Sequence, residues 1–222
     1  MTKRIVIFGV SEFAALVHYY FTHDAAYQIT AFTVDSPYLT DERFCNLPVI
    51  PFETIETEFP PENYGMFIAV GYSRMNQLRS EKFMAGKRKG YSLVSYISTR
   101  NSTWPDLRIG ENCLILENNV IQPFVTIEDD VFIWSGNLIS HQVHIGRNCF
   151  ISSHVSIGGH VDLGENCFIG MNSIIKEKIT VARNSLVGAG SIILKSTQES
   201  GVYLPSSTSL SPFPLEKVQV LL

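Results

Sequence analysis

The stretch Ile109-Gly110-Glu111-Asn112-Cys113-Leu114 sets a pattern that the chain then keeps, and it is nearly respelled nine hexads later as Leu163-Gly164-Glu165-Asn166-Cys167-Phe168. From Ile109 a branched apolar residue returns at every sixth position: Ile115, Ile121, Ile127, Ile133, Ile139, Ile145, Ile151, Ile157, Leu163, Ile169, Ile175, Val181, Val187 and Ile193. Repetition at a fixed short period is the signature of a solenoid. A small or branched residue recurs four places further on, as at Cys113, Val125, Val131, Val143, Cys149, Val155, Val161, Cys167, Ser173 and Ser185. Both positions point into a narrow prism. Three hexads make one coil, and coils stack at the ordinary strand spacing of ~4.8 Å, so five coils stand about 24 Å tall. Gly-Glu-Asn, Gly-Arg-Asn and Gly-Met-Asn segments lie between the inward pairs. They read as corners, because glycine and asparagine accept the backbone angles of tight turns.

Upstream of the repeat the pattern changes to short apolar strands alternating with helical segments, the mark of a parallel α/β sheet. Strands are predicted over 3–8, 27–34, 66–70 and 91–97, and helices over 12–22 and 74–87. A Rossmann-like domain is therefore expected over residues 1–98 and a β-helix over 99–195. An irregular tail over 196–222, with Leu204-Pro205, Ser211-Pro212-Phe213-Pro214 and a short amphipathic end, is expected to cap the open prism.

Length and composition agree with two small soluble domains: 222 residues, 45% hydrophobic and 17% charged. A formal charge of -4 provides no broad basic surface, which argues against nucleic acid and anionic lipid and for small-molecule chemistry. The apolar run after Lys3-Arg4 stops at Gly9, too soon for a signal peptide, and no stretch approaches the ~20 apolar residues of a membrane span. A cytoplasmic protein without integral membrane association is expected. The four cysteines have no CxxC or zinc-finger spacing and read as reduced thiols. Cys113, Cys149 and Cys167 fall on inward positions, where a thiol is an apolar filler rather than a nucleophile.

A Rossmann-like domain followed at once by an uninterrupted hexapeptide prism resembles the two-domain bacterial sugar acyltransferases of the NeuD and PglD type, from Ile5 to about Val202. The resemblance implies a left-handed coil, against the usual right-handed rule for parallel crossovers. It also implies a homotrimer and an acyl-CoA cosubstrate. The repeat alone does not decide activity, since γ-class carbonic anhydrases and structural solenoids use the same prism.

In this family the general base is a histidine in a segment of the form Ile-x-His-acidic, which Ile139-Ser140-His141-Gln142 matches except at its last letter. His141 is the expected base, since an imidazole accepts and releases protons near neutral pH. Gln142 stands where the relatives carry the acid that supports it. Gly159, one coil beyond His141, matches the glycine whose N–H faces the thioester carbonyl and can stabilise the oxyanion. His160 lies one coil beyond Gln142. The acyl-CoA path maps onto Phe150, Met171 and Ala189, and the nucleotide-sugar onto Gly9, Ser11, Glu12, Phe13, Asp35 and Gly71. The family commonly has glycine and histidine where Glu12 and Phe13 stand, and Gly9 and Gly71 also read as plain strand-ending turns. The loop lacks the full dinucleotide fingerprint, which argues against NAD.

His144, one coil before Asp162, is the rival base, and His154 reads as a polar corner residue. His141, His144, His154 and His160 do not obviously supply a triple-histidine zinc site, so no metal is expected. The leading expectation is acetyl transfer from acetyl-CoA to the amino group of a nucleotide-linked deoxy amino sugar. An O-acetyltransferase acting on a sugar hydroxyl and a non-catalytic sugar-nucleotide-binding protein are the alternatives. Gln142 favours the amine, which demands less of the base than a hydroxyl does. Outward apolar residues at Phe132, Trp134, Phe150 and Phe168 are expected to pack between the copies of the trimer.

Overall fold

The computed structural model describes residues 3–25 and 27–210. Its first strand, β1 (Lys3–Phe8), has four consecutive buried apolar residues, Ile5 to Phe8, and is therefore covered on both faces. That is the reading of a parallel strand inside an α/β sheet. β2 (Tyr27–Val34), β3 (Arg43–Phe44), β4 (Leu47–Pro51) and β5 (Gly65–Ile68) complete a sheet of order β3-β4-β2-β1-β5, parallel except for the β3–β4 hairpin. The helices are α1 (Glu12–Asp24), the single turn α2 (Ile55–Glu58) and α3 (Gln77–Arg88).

Three details depart from the sequence expectation. The hairpin is unpredicted, because Pro48 and Pro51 in β4 read against a strand. Its turn, Cys45-Asn46, has positive φ at both residues, the form that suits a two-residue hairpin. α3 begins three residues late, since Arg74, Met75 and Asn76 have φ of 53°, 52° and 67° and cannot join a right-handed helix. The predicted strand over 91–97 is split. Leu93 makes a single bridge to Met66, and Tyr96–Ile97 instead pairs with Leu114–Ile115 as the first rung of the prism. The Ser95 hydroxyl makes the crossing by bonding Gly110 O and Cys113 N.

The prism is a left-handed β-helix of two-residue rungs in which each residue stacks on the one 18 positions away, as in Phe132↔Phe150, Leu138↔Ser156 and His144↔Asp162. Its domain-facing side carries the rungs at 114, 132, 150, 168 and 186, its polar side those at 108, 126, 144, 162 and 180, and its open side those at 120, 138, 156, 174 and 192. One residue per corner is left-handed, every sixth position from Asn112 to Gly190. Asparagine holds six of these places, but Phe124, Gln142, His154, His160 and Lys178 accept the same strain.

Inside, the inward hexad residues form one continuous core. Two inward places skipped by the apolar series, 119 and 137, hold buried asparagines. Their amides continue the ladder: Asn119 Oδ1 accepts from Asn137 N and Nδ2, and Asn137 Oδ1 accepts from Val155 N. Buried amides are tolerated there because each is bonded. Beyond the repeat, Val202–Tyr203 adds a last rung beside Leu186–Val187, and Tyr203 packs on the core end. Ser211-Pro212-Phe213-Pro214 and the amphipathic end lie outside the described residues.

The apolar side expected at a trimer contact is covered by the chain's own N-terminal domain. Phe132 is 0% exposed and Phe150 3%, in a shared core with Phe21, Phe32 and Phe67, while Trp134 and Phe168 are half-buried beside it. Phe13 packs on Phe132 and Trp134, and Phe67 stacks on Phe132. The resemblance to trimeric enzymes led to the wrong cover, since apolar surface is buried by whichever partner is nearest.

A buried ion pair pins this seam. Arg79 of α3 and Asp130 of a prism corner are both fully buried. Arg79 donates through Nη2 to the carbonyls of Asp130, Asn148 and Cys149 and through Nη1 to Gly71 O and Asn76 Oδ1. Its Nε stands 3.1 Å from Asp130 Oδ1, close enough for charge pairing but off the hydrogen-bond line. The guanidinium also lies 4.2 Å over the Phe132 ring. Asn112 spans the gap, donating to Asp130 Oδ1 and accepting from Ile68 N at the end of β5. Burial pushes the Asp130 carboxyl up to about 6, against the pull of Arg79 and Asn112.

Arg79→Ala is expected to cost about 3–5 kcal/mol at pH 8, the usual consequence of leaving one buried charge unpaired. Because the folded-state pKa of Asp130 is raised, the folded protein holds an extra proton from about pH 4 up to about 6, and its stability falls as pH rises through that window. Without Arg79 the window extends upward. Urea unfolding should therefore give a smaller loss for Arg79→Ala at pH 5 than at pH 8, and equal losses would refute this account of the pair.

Candidate functional site

His141 stands exposed on the corner between the open and polar sides, held through its backbone and its ring. Its backbone N–H donates to Gln122 Oε1. Its Nδ1 lies 3.0 Å from Gln142 Oε1, and its ring meets His160 edge-on at 5.2 Å between centroids. An amide oxygen only accepts, so in the neutral ring the proton sits on Nδ1 and the Nε2 lone pair is free. Gln142 thus orients the imidazole without charging it.

Gly159 abuts the same ring. A Cβ there would stand 2.9 Å from His141 Cε1 and 3.0 Å from Nε2, so a side chain would displace the imidazole. The Gly159 N–H finds no acceptor among the described residues, whereas Gly159 O is bonded by Lys178 N. The 18-residue stacking therefore brings Gly159, with its unoccupied backbone donor, against the His141 ring.

His144 is occupied on both nitrogens. Nδ1 lies 2.8 Å from Asp162 Oδ1, as the spacing predicts, and Nε2 lies 3.2 Å from Glu128 Oε1, which the sequence reading missed. The signal was present: Glu128 begins the corner between the rungs at 126 and 132. Burial lowers the His144 pKa, but the two carboxylates outweigh it and raise the pKa above its ordinary value; with a carboxylate oxygen at each nitrogen, neither ring nitrogen is open to a substrate. His154 sits with its ring against Gly136 on the corner between the domain-facing and open sides, away from His141. No group of three or more His, Cys, Asp or Glu able to hold a metal is present among the described residues.

The residues assigned to acyl-CoA lie across the open side from His141. Phe150, Met171 and Ala189 line a cavity of about 310 Å³ together with Tyr72, Trp134 and Phe168. Met171 and Ala189 are exposed corner residues, but Phe150 is a buried rung residue, stacked on Phe168 and edged by Tyr72. A second cavity of about 310 Å³ shares Tyr72, Trp134 and Phe150 and adds Glu12, Phe13 and Gly71 from the N-terminal domain. The indole N–H of Trp134 is buried without a partner among the described residues.

The other residues assigned to the nucleotide-sugar divide. Gly9 is required by its backbone, with φ of 121° and Ala69 O where a Cβ would stand, whereas the space beside Gly71 is open. Ser11 caps α1 by accepting from Ala14 N. Asp35 is paired with Lys82 at 2.6 Å and lines neither seam cavity. A further cavity of about 130 Å³ at the carboxyl ends of β1 and β2 is lined by Val10, Val34, Tyr38, Asp41, Arg43 and Phe44. Tyr38 and Arg43 are not among the expected site residues, since no element is predicted between residues 34 and 66.

Comparison with known proteins bears on this geometry. The family described as bacterial transferase hexapeptide (six repeats) matches residues 106–141, 124–159 and 160–195. No curated protein sequence matches the chain. Among solved structures, the acetyltransferase domain of PglB from Neisseria gonorrhoeae FA1090 is 20% identical with a TM-score of 0.81, covering 91% of this chain and 97% of its own. PerB from Caulobacter crescentus, solved with CoA and GDP-perosamine, is 21% identical with a TM-score of 0.81, covering 92% and 95%. WeeI from Acinetobacter baumannii AYE is 19% identical with a TM-score of 0.55, covering 90% and 96%. Both domains are matched in each case, so the likeness extends beyond the repeat. Residues 106–195 thus match the bacterial transferase hexapeptide family, and the chain as a whole shares its fold with the acetyltransferase domain of PglB and with PerB.

Proposed function

We propose that the protein is an acetyl-CoA-dependent N-acetyltransferase whose acceptor is the amino group of a nucleotide-linked deoxy amino sugar. The observation that carries this reading is the His141 ring, oriented by Gln142 with Nε2 free and set against the unbonded N–H of Gly159. PerB, of the same fold, was solved with CoA and GDP-perosamine, which supports the substrate class. In the reaction the acceptor nitrogen bonds to the thioester carbonyl carbon and the C–S bond breaks. The proton shed by nitrogen passes to His141 Nε2 and then to the departing thiolate, while the Gly159 N–H steadies the oxyanion. A neutral helper at 142 suits an amine, because a hydroxyl would need a more strongly supported base.

A homotrimer belongs to this reading, on a different side from the one expected. Val120, Leu138, Ile174 and Ile192 form an exposed apolar column on the open side, 41–62% accessible and interrupted only by Ser156. Such a patch calls for a cover. His141 and the acyl-CoA cavity flank this column on opposite corners, so copies packed through it bring the base of one to the cavity of the next.

Two outcomes are expected. With acetyl-CoA and a panel of nucleotide amino sugars, thiol release should fall by ~10²-fold in kcat for His141→Ala, the usual worth of a general base, and little for His144→Ala. Release that is absent for every acceptor would point to a non-catalytic binding protein. Ile174→Asp should convert the trimer to monomers by light scattering and abolish thiol release while leaving the fold intact by circular dichroism. An active monomer would remove the shared site from the reading.

A further inference from the structure

Between Lys89 and Lys217 the chain has three lysines, Lys176, Lys178 and Lys195, and all three fall on one corner of the prism. It is the corner of His141, between the open and polar sides, continued toward the C-terminal coils. The 18-residue register fixes the interval. Lys176 and Lys178 flank the position two coils beyond His141, and Lys195 stands three coils beyond it, so at ~4.8 Å per coil they lie roughly 10 and 14 Å from the base along the prism. The corner is continuous over that interval, since Lys178 N donates to Gly159 O and Gly159 abuts the His141 ring.

All three lysine side chains are exposed, and none has a hydrogen bond or ion pair among the described residues. By contrast Arg147 is paired with Glu128, and Arg183 with Glu165 and Glu199. The one acid among the lysines is Glu177, so the corner keeps a positive surplus in a chain whose formal charge is -4. Such a surplus attracts an anion.

The acyl-CoA cavity indicates which anion. No charged side chain lines it, although acyl-CoA carries a diphosphate and a 3′-phosphate at the far end of its pantetheine arm. Met171 belongs to the same coil as Lys176 and Lys178, and Ala189 to the same coil as Lys195, on the opposite corner of the open side. Copies packed through the open side about an axis along the prism set the lysines of one level with the cavity of the next. The interval from His141 to the lysines is one that an extended pantetheine arm bridges.

We propose that Lys176, Lys178 and Lys195 bind the phosphates of an acyl-CoA whose arm lies in the neighbouring copy's cavity, and so bring its thioester to His141 and Gly159. The proposal deepens the reading above and rests on it for the groove shared between copies. The lysines are positioning residues, which hold the donor by its far end while the bonds that form and break lie two to three coils away.

The test measures binding without an acceptor, by calorimetry, with CoA, dephospho-CoA and pantetheine, which carry progressively fewer phosphates. The parent should bind them in that order of affinity, and added salt should weaken CoA while sparing pantetheine. Lys176→Gln, Lys178→Gln and Lys195→Gln combined should weaken CoA by about tenfold, the joint worth of three exposed charge pairs, and leave pantetheine unchanged. Light scattering checks that this variant is still a trimer. Glu177→Gln should tighten CoA by about twofold, a gain that damage to the fold does not produce. Three results overturn the proposal: undiminished CoA binding by the triple variant, an equal loss of pantetheine, or a loss of GDP and UDP binding in place of CoA, which would give the corner to the acceptor's phosphates. Thiol release from acetyl-CoA on the same proteins keeps the two ideas apart. Transfer with lysine-independent CoA affinity sinks the phosphate site alone, whereas lysine-dependent CoA binding with no transfer to any acceptor sinks the acetyltransferase reading alone.

Discussion

Three hexads close one coil, so each residue of the prism is stacked on those 18 positions before and after it, and almost every other property of the molecule inherits that register. The inward series builds one continuous, mostly apolar core. The outward series builds columns: Phe132, Phe150 and Phe168 on one side, His144 and Asp162 on another, Val120, Leu138, Ile174 and Ile192 on the third. At the corners the same arithmetic sets Gly159 against His141 and His160 beside Gln142. A chemical site assembled this way needs no long-range folding accident, because adjacent coils are joined by backbone hydrogen bonds at every rung.

The N-terminal domain is fixed to this scaffold by a polar node inside an apolar contact. Apolar burial supplies most of the adhesion, through Phe67 on Phe132 and Phe13 on Trp134. It is not directional, so it does not by itself choose one docking geometry. Arg79 does, since its donors meet three prism carbonyls that come together only in one arrangement. Around the rim Tyr20 donates to Glu117, and Asp24 accepts from Tyr96, Ser98 and Thr99, which together hold the Asp24 carboxyl well below its usual range. The seam cavities exist because this docking holds α1 and the loop after β5 over the aromatic column at a set distance.

The histidines illustrate how geometry separates residues of equal composition. His141 and His144 are three residues apart, yet one has a neutral amide on Nδ1 and a free Nε2, and the other has a carboxylate on each nitrogen. The first arrangement leaves one ring nitrogen open, and the second occupies both. A motif match favoured His141 from the sequence, but the reason His144 is disqualified lies in Glu128, which approaches from 16 residues earlier across the corner.

The sequence by itself determined what is local or strictly periodic. The hexad series specified the prism, its 18-residue stacking and hence the neighbours of His141, because in a solenoid sequence distance translates directly into spatial distance. It also specified β1 through its unbroken apolar run, and α1 and β2 through their alternation of helical and strand patterns. The tertiary structure decided what depends on two distant segments meeting. The cover over Phe132 and Phe150, the partnership of Arg79 with Asp130, the late start of α3 and the joining of Glu12 to Trp134 in one cavity all arise at the domain seam. There Arg79 and Asp130 lie 51 positions apart and Glu12 and Trp134 122, no period links them, and apolar contact and charge pairing in three dimensions select the arrangement.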